Sequence, residues 1–123
     1  MKLLFFLITA LCTLPWQEVV VKPEMLSAKK WTITEDKQSG IGTHKAFPEG
    51  SSLEFGKDGT WTCSEMLEGA KKGKWSIDRD MIYLQNEDGK KTSKFKVVLL
   101  NEKQLRFEAK KTMYTRTWEW YVR

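Results

Sequence analysis

Histidine and cysteine are scarce in this chain of 123 residues, which contains one His (His44) and two Cys (Cys12 and Cys63). Zinc fingers, histidine-based metal enzymes, haem attachment and disulfide-stapled minifolds need more of these residues, so the sequence all but excludes them. Catalysis of the Ser-His-Asp or Cys-His type is also disfavoured, because His44 would have to be the base. We therefore expect no metal, no cofactor and no enzymatic activity.

Glycine and proline are also few, with eight Gly and three Pro, which excludes a low-complexity or collagen-like chain. Hydrophobic residues make up 41% and charged residues 30%, a composition typical of a soluble globular protein. The length fits one domain. Aromatic residues are abundant at 12%, with six Trp, and this favours an interior that is either filled by rings or lined by them around a ligand.

Long hydrophobic runs are missing, and the apolar stretch from Leu3 to Ala10 is too short to span a bilayer. Together with Lys2 it predicts a secretory signal peptide, and thus export to the periplasm or the medium. We divide the chain into a signal peptide and lead-in (1–16), an N-terminal arm (17–26) and a single domain (27–123). Lipid anchoring at Cys12 is the less favoured alternative, because Leu11 stands where a lipoprotein has a small residue.

Positive charge exceeds negative charge by five, but only four of the 21 basic residues are Arg. The lysines cluster in turn-like segments and alternate with Asp and Glu, whereas nucleic-acid binding favours a stripe of Arg with exposed aromatics. We predict a solvated surface that binds no nucleic acid. Paired carboxylates such as Glu35-Asp36 lie at the ends of predicted strands, where solvated side chains are expected.

Apolar and polar residues alternate with period two from Ser27 onward, as in Trp31 and Ile33 or in Trp118 and Trp120, which predicts half-buried strands. Turn signals such as Lys57-Asp58-Gly59 separate the strands. The predicted strands are 27–35, 52–56, 60–65, 73–78, 81–85, 93–100, 104–110 and 113–122. No connection has room for a crossover helix, so an all-β, eight-stranded antiparallel up-and-down (meander) barrel is predicted.

The connection 36–51 is the longest in the predicted barrel. A loop of that length in a compact domain is usually functional or mobile, and its place after the first strand would put it over one mouth of the barrel. A plain surface loop is the alternative. The sequence does not choose between the two.

Three segments carry a resemblance to a known family: 30–33 (Lys-Trp-Thr-Ile), 53–61 around Asp58-Gly59, and 73–78 (Gly-Lys-Trp-Ser-Ile-Asp). They resemble the lipocalin-like domains of exported bacterial proteins, within the broader calycin set of small β-barrels. Lys29 stands where lipocalins carry the Gly of a Gly-x-Trp motif. The segment 115–119 (Thr-Arg-Thr-Trp-Glu) is similar to the last strand of fatty-acid-binding proteins. The resemblance implies a lipocalin-like barrel over 27–123 and an apolar or acidic lipid-like ligand.

Two functions fit such a barrel. The first is binding of a small apolar or amphipathic ligand by inward aromatic and polar side chains, as in most small-molecule pockets. The candidate lining residues are Phe55, Trp61, Trp75, Phe95, Phe107, Tyr114, Arg116 and Trp118. The alternative is a protein-interaction or inhibitor module with a solid core that acts through its loops. A monomer without a membrane span is expected in both cases.

Arg116 shares a face with Trp118 and Trp120, and an inward Arg is costly unless it is paired. The similarity to fatty-acid-binding proteins implies that its guanidinium binds a ligand carboxylate. The alternative is a stack on the Trp31 indole that closes the barrel, as in the Trp–Arg pair of lipocalins, and we favour this second arrangement.

Export predicts that residues 1 to about 12–16 are removed from the mature protein. Mass spectrometry of protein recovered from the periplasm or the medium checks this. An intact Met1 on most molecules would contradict it.

Overall fold

Eight antiparallel strands close into a barrel in the computed structural model, which describes residues 19–122. Each strand pairs with the next in chain order, and the last returns to pair with the first. The elements are α1 Pro23–Leu26, β1 Lys30–Gly40, β2 Ser52–Phe55, β3 Thr60–Leu67, β4 Ala70–Asp78, β5 Met81–Asn86, β6 Thr92–Leu100, β7 Gln104–Lys110 and β8 Tyr114–Tyr121. The predicted all-β, up-and-down barrel is confirmed, and it is compatible with a calycin-like fold. The predicted signal peptide and Cys12 lie outside the described residues.

The barrel interior is filled largely by aromatic side chains. Phe107 lies 5.0 Å from Phe95, 5.7 Å from Trp118 and 6.0 Å from Trp120, measured between ring centroids. These separations and the tilted rings are those of favourable aromatic pairs. Cys63 is also buried among apolar side chains, and burial raises the pKa of its thiol.

One end of the barrel is closed by the arm and by α1. Leu26 is fully buried there, and its carbonyl accepts a 3.1 Å hydrogen bond from the indole N–H of Trp31. The amide of Val21 donates to the carbonyl of Arg79 in the β4–β5 turn. Because buried backbone groups need partners, these bonds fix the arm across the end of the barrel.

β1 extends beyond its predicted end at residue 35 because it stays paired with β8 as far as Gly40, and its register shifts between Ile33 and Glu35. Such a bulge moves the side chains that follow it to the other face of the strand. The apolar alternation therefore ends at Ile33, although the strand continues to Gly40 with Asp36 and Gln38 more buried than their neighbours. The connection predicted over 36–51 is in fact the shorter loop 41–51.

The connection between β3 and β4 is a turn of two residues, shorter than the gap between the predicted strands 60–65 and 73–78. Glu68 and Gly69 both have positive φ, 52° and 90°, and Leu67 pairs directly with Ala70. Two central residues with φ above zero are characteristic of the type I′ hairpin turn, whose twist matches that of the strands. Lys71 and Lys72 are therefore exposed residues of β4 and not loop residues.

Gly73 lies where two strands approach more closely than a side chain would allow. A Cβ atom at this position would stand 1.7 Å from the carbonyl oxygen of Gln85 on β5. That same oxygen accepts the indole N–H of Trp61, the residue paired with Gly73 on β3. Glycine at a strand interior often marks such a close approach.

We expect Gly73→Ala to lower the free energy of unfolding by about 3 kcal/mol or more, because the obstructing atom is backbone and cannot rotate away. Gly59→Ala is the matched control. Its Cβ would meet nothing within 4 Å, so only the strain of its positive φ remains, about 1 kcal/mol. Urea unfolding of both variants measures the difference, and equal losses would contradict the close-approach explanation.

Candidate functional site

The end of the barrel opposite α1 is formed by loop 41–51 and by turns 68–69, 87–91 and 111–113. We call this end the mouth. β1, β3, β5 and β7 run toward it, and β2, β4, β6 and β8 run away from it.

A buried ion pair lies at the mouth between β1 and β8. Arg116 donates from Nε to Oδ1 of Asp36 at 2.9 Å and from Nη2 to Oδ2 at 2.6 Å, a bidentate geometry. The Asp36 side chain is 1% exposed and that of Arg116 is 19% exposed. The hydrogen bonds to Asp36 raise the pKa of Arg116 above its ordinary value, so the guanidinium stays charged.

The ion pair also holds loop 41–51. The amide of Phe47 donates to Asp36 Oδ2 at 2.9 Å, and Arg116 Nη2 donates to the carbonyl of Lys45 at 3.2 Å. His44 Nε2 lies 3.3 Å from the Asp36 carbonyl oxygen and 3.6 Å from Asp36 Oδ1. The loop is therefore tied to two adjacent strands through one carboxylate and one guanidinium.

Arg116 does not stack on the ring of Trp31, which was the favoured prediction. Its guanidinium carbon lies 5.1 Å from the ring of Trp118 and 5.6 Å from that of Phe47. The register of β1 with β8 explains this, because Arg116 pairs with Gln38. Trp31 precedes Gln38 by seven residues, which is about 23 Å along β1. The Trp31 ring instead lies beneath the ammonium of Lys29, at 5.4 Å. Binding of a ligand carboxylate by Arg116 stays a prediction.

Six of the predicted lining residues belong to one hydrophobic core or pack against it, and they form two groups by the strands that carry them. Phe95, Phe107 and Trp118 are buried together next to Arg116, and Tyr114 is half-buried on the same strand. The others lie around β2, β3 and β4: Phe55, Trp61 and Trp75.

In that second group, Trp75 is half-buried and meets Phe55 edge to face at 5.2 Å. Its indole N–H donates to the carbonyl of Gly56, while that of Trp61 donates to Gln85. The rings of both groups make contact with protein atoms, as core residues do. Ligand binding by these residues stays a prediction.

Sequence reasoning missed Asp36, which the structure shows to be buried rather than solvated. The signal that would have identified it is the bulge after Ile33, and a bulge depends on pairing with a distant strand rather than on local sequence. Phe47 was missed because it lies in an irregular loop, where no periodicity indicates burial. Its ring packs edge to face on Trp120, with the centroids 6.2 Å apart.

The mouth also exposes apolar side chains. Ile41 is 68% exposed and Met113 is 59% exposed, and the Ile41 amide donates to the Met113 carbonyl at 2.9 Å. Met66, near the end of β3, is 56% exposed. Of the five large apolar residues exposed in 19–122, these three lie at the mouth, while Val20 belongs to the arm and Val98 to β6.

Within residues 19–122, no group of three or more His, Cys, Asp or Glu side chains is arranged to hold a metal ion. The described part of the chain also contains no helix with the length and hydropathy needed to cross a membrane. Comparison of the chain with protein-family models, with curated proteins and with solved structures finds no match.

Removing the charge of Arg116 should destabilise the protein, because it leaves the carboxylate of Asp36 buried without a counter-ion. We expect Arg116→Met to cost about 3–5 kcal/mol of unfolding free energy. Arg106→Met is the matched control. Arg106 pairs with Glu119 while 43% exposed, and such pairs contribute about 1 kcal/mol or less.

The double variant Asp36→Asn with Arg116→Met tests the cause. It should recover part of the loss, since neither buried charge remains. Chemical unfolding of the three variants gives the comparison. A loss for Arg116→Met no larger than for Arg106→Met would contradict a structural role for the pair.

Proposed function

We propose that the chain is an exported protein-binding module that acts through the mouth of its barrel and not through catalysis. One observation carries the proposal. Ile41 and Met113 are exposed and are joined by a backbone hydrogen bond, and the Asp36–Arg116 pair anchors the loop that carries Ile41. Exposed apolar side chains on rigid loops are typical of binding surfaces, because preorganisation lowers the entropy lost on association.

The filled interior supports this choice over binding of a ligand inside the barrel. The rings of Phe95, Phe107 and Trp118 are 5.0 to 5.7 Å from one another. Arg116 and Asp36 are bonded to each other and to loop 41–51 next to these rings. A ligand in the interior would have to displace both the loop and the rings.

Binding of a small ligand remains the second candidate because of two indole groups. Trp118 and Trp120 are fully buried, and neither Nε1 has a hydrogen-bond partner in the described part of the chain. A buried N–H without an acceptor costs about 1–3 kcal/mol. An oxygen atom of a bound molecule would remove that cost.

Site-specific crosslinking tests the proposed function. A photoreactive phenylalanine analogue is placed at position 41, or at position 98 as a control, since Val98 is exposed on the barrel wall. We expect light-dependent capture of one extracellular or periplasmic protein from position 41 only. The purified partner should then bind Ile41→Ser about tenfold more weakly than the unmodified protein, while Val98→Ser binds as before.

Equal capture from positions 41 and 98, or unchanged affinity of Ile41→Ser, would overturn the proposal. Titration with palmitate or an apolar dye, followed by Trp fluorescence, tests the second candidate. A saturable one-to-one change, absent for a polar control compound, would favour ligand binding inside the barrel.

A further inference from the structure

The mouth carries lysines as well as apolar residues. Lys71, Lys90 and Lys91 are exposed and form no ion pair within residues 19–122. They belong to β4 and to turn 87–91, on the opposite side of turn 68–69 from Ile41 and Met113. Unpaired lysines near an apolar patch are free to meet charges on another molecule.

Contacts between the loops join the two sides of the mouth into one surface. Glu68 Oε1 lies 2.9 Å from Lys111 Nζ, and this ion pair links turn 68–69 to turn 111–113. Lys91 Nζ lies 3.8 Å from the place that a Cβ would take at Gly69. The surface therefore runs from Ile41 and Met113 across turn 68–69 to the lysines of turn 87–91. We call it the ridge, and its members are Ile41, Met113, Lys111, Lys71 and Lys91.

A cleft of about 470 Å³ opens beside the ridge between turns 68–69 and 87–91. Its walls include Met66 and Ala70, with Lys71 and Lys72 on one side and Glu87 and Asp88 on the other. An apolar wall next to exposed ammonium groups suits a side chain that is apolar along its length and has a carboxylate nearby.

We propose that the partner of the mouth presents an acidic segment with an apolar anchor, so that the anchor packs on Ile41 and Met113 and its carboxylates face Lys71 and Lys91. This inference rests on the proposed function and names the partner's chemistry. Complementary charge would speed association and fix the orientation of the partner, while the apolar contact would supply most of the affinity.

Acidic side chains among the lysines favour a protein partner over an anionic membrane. Glu87 and Asp88 occupy the same turn as Lys90 and Lys91, and Glu87 Oε2 lies 3.2 Å from Lys72 Nζ. A membrane of anionic lipids presents negative charge everywhere and would meet these carboxylates as well. A folded or extended protein segment can place its carboxylates opposite the lysines alone.

A fluorescent synthetic peptide tests the inference, with one Leu in the middle of a run of Glu and Asp. Binding is measured by anisotropy at about 50 mM and about 300 mM NaCl, where screening differs strongly. We expect the double variant Lys71→Glu with Lys91→Glu to bind about tenfold more weakly at the lower salt concentration, because two attractions become repulsions. The control is Lys74→Glu with Lys96→Glu, which makes the same change of net charge at exposed strand positions and should alter binding less than about threefold.

Three results would overturn the inference. They are no binding of the peptide at the lower salt concentration, an equal loss in both double variants, or binding of phosphatidylglycerol vesicles that depends on Lys71 and Lys91 while the peptide does not bind. The Ile41 crosslinking experiment separates the two proposals. A captured partner sensitive to Ile41→Ser but not to Lys71→Glu with Lys91→Glu would leave the protein-binding module intact and exclude only the acidic partner.

Discussion

A carboxylate taken out of water needs charged and hydrogen-bonding partners, and Asp36 obtains all of them from elements that meet only in the folded barrel. Arg116 comes from β8, and the amide of Phe47 comes from loop 41–51. Because an unpaired buried charge is strongly destabilising, the contact between β1 and β8 and the position of the loop stabilise each other. The middle of the loop is anchored by this interaction, while Ile41 at its start is also held by the hydrogen bond to Met113.

The tryptophans divide by their hydrogen bonds. Trp31, Trp61 and Trp75 each donate an indole N–H to a backbone carbonyl on another segment of the chain. Large rings with a polar edge are well suited to this, since they fill volume and also satisfy a carbonyl that would otherwise be buried alone. Trp118 and Trp120, both on β8, do not form such bonds within the described residues. Packing alone fixes their rings.

The interior of this barrel and its mouth thus differ in chemistry. The interior is apolar and occupied by rings in mutual contact, which stabilises the fold. The mouth combines exposed apolar side chains with exposed lysines on the connections between the paired strands and beside them. A barrel of eight strands can be filled by its own side chains, and its loops are then the part that remains free to evolve a binding function.

The sequence by itself determined the strands and their inward faces, because alternation with period two records burial on one side of a strand wherever the pairing is regular. That is why the barrel and the buried positions of Phe95, Phe107 and Trp118 could be predicted. Only the tertiary structure decided the environment of Asp36 and the partner of Arg116. A bulge after Ile33 changes which side chains face inward, and it arises from the fit between strands 80 residues apart in the chain, which no local pattern encodes.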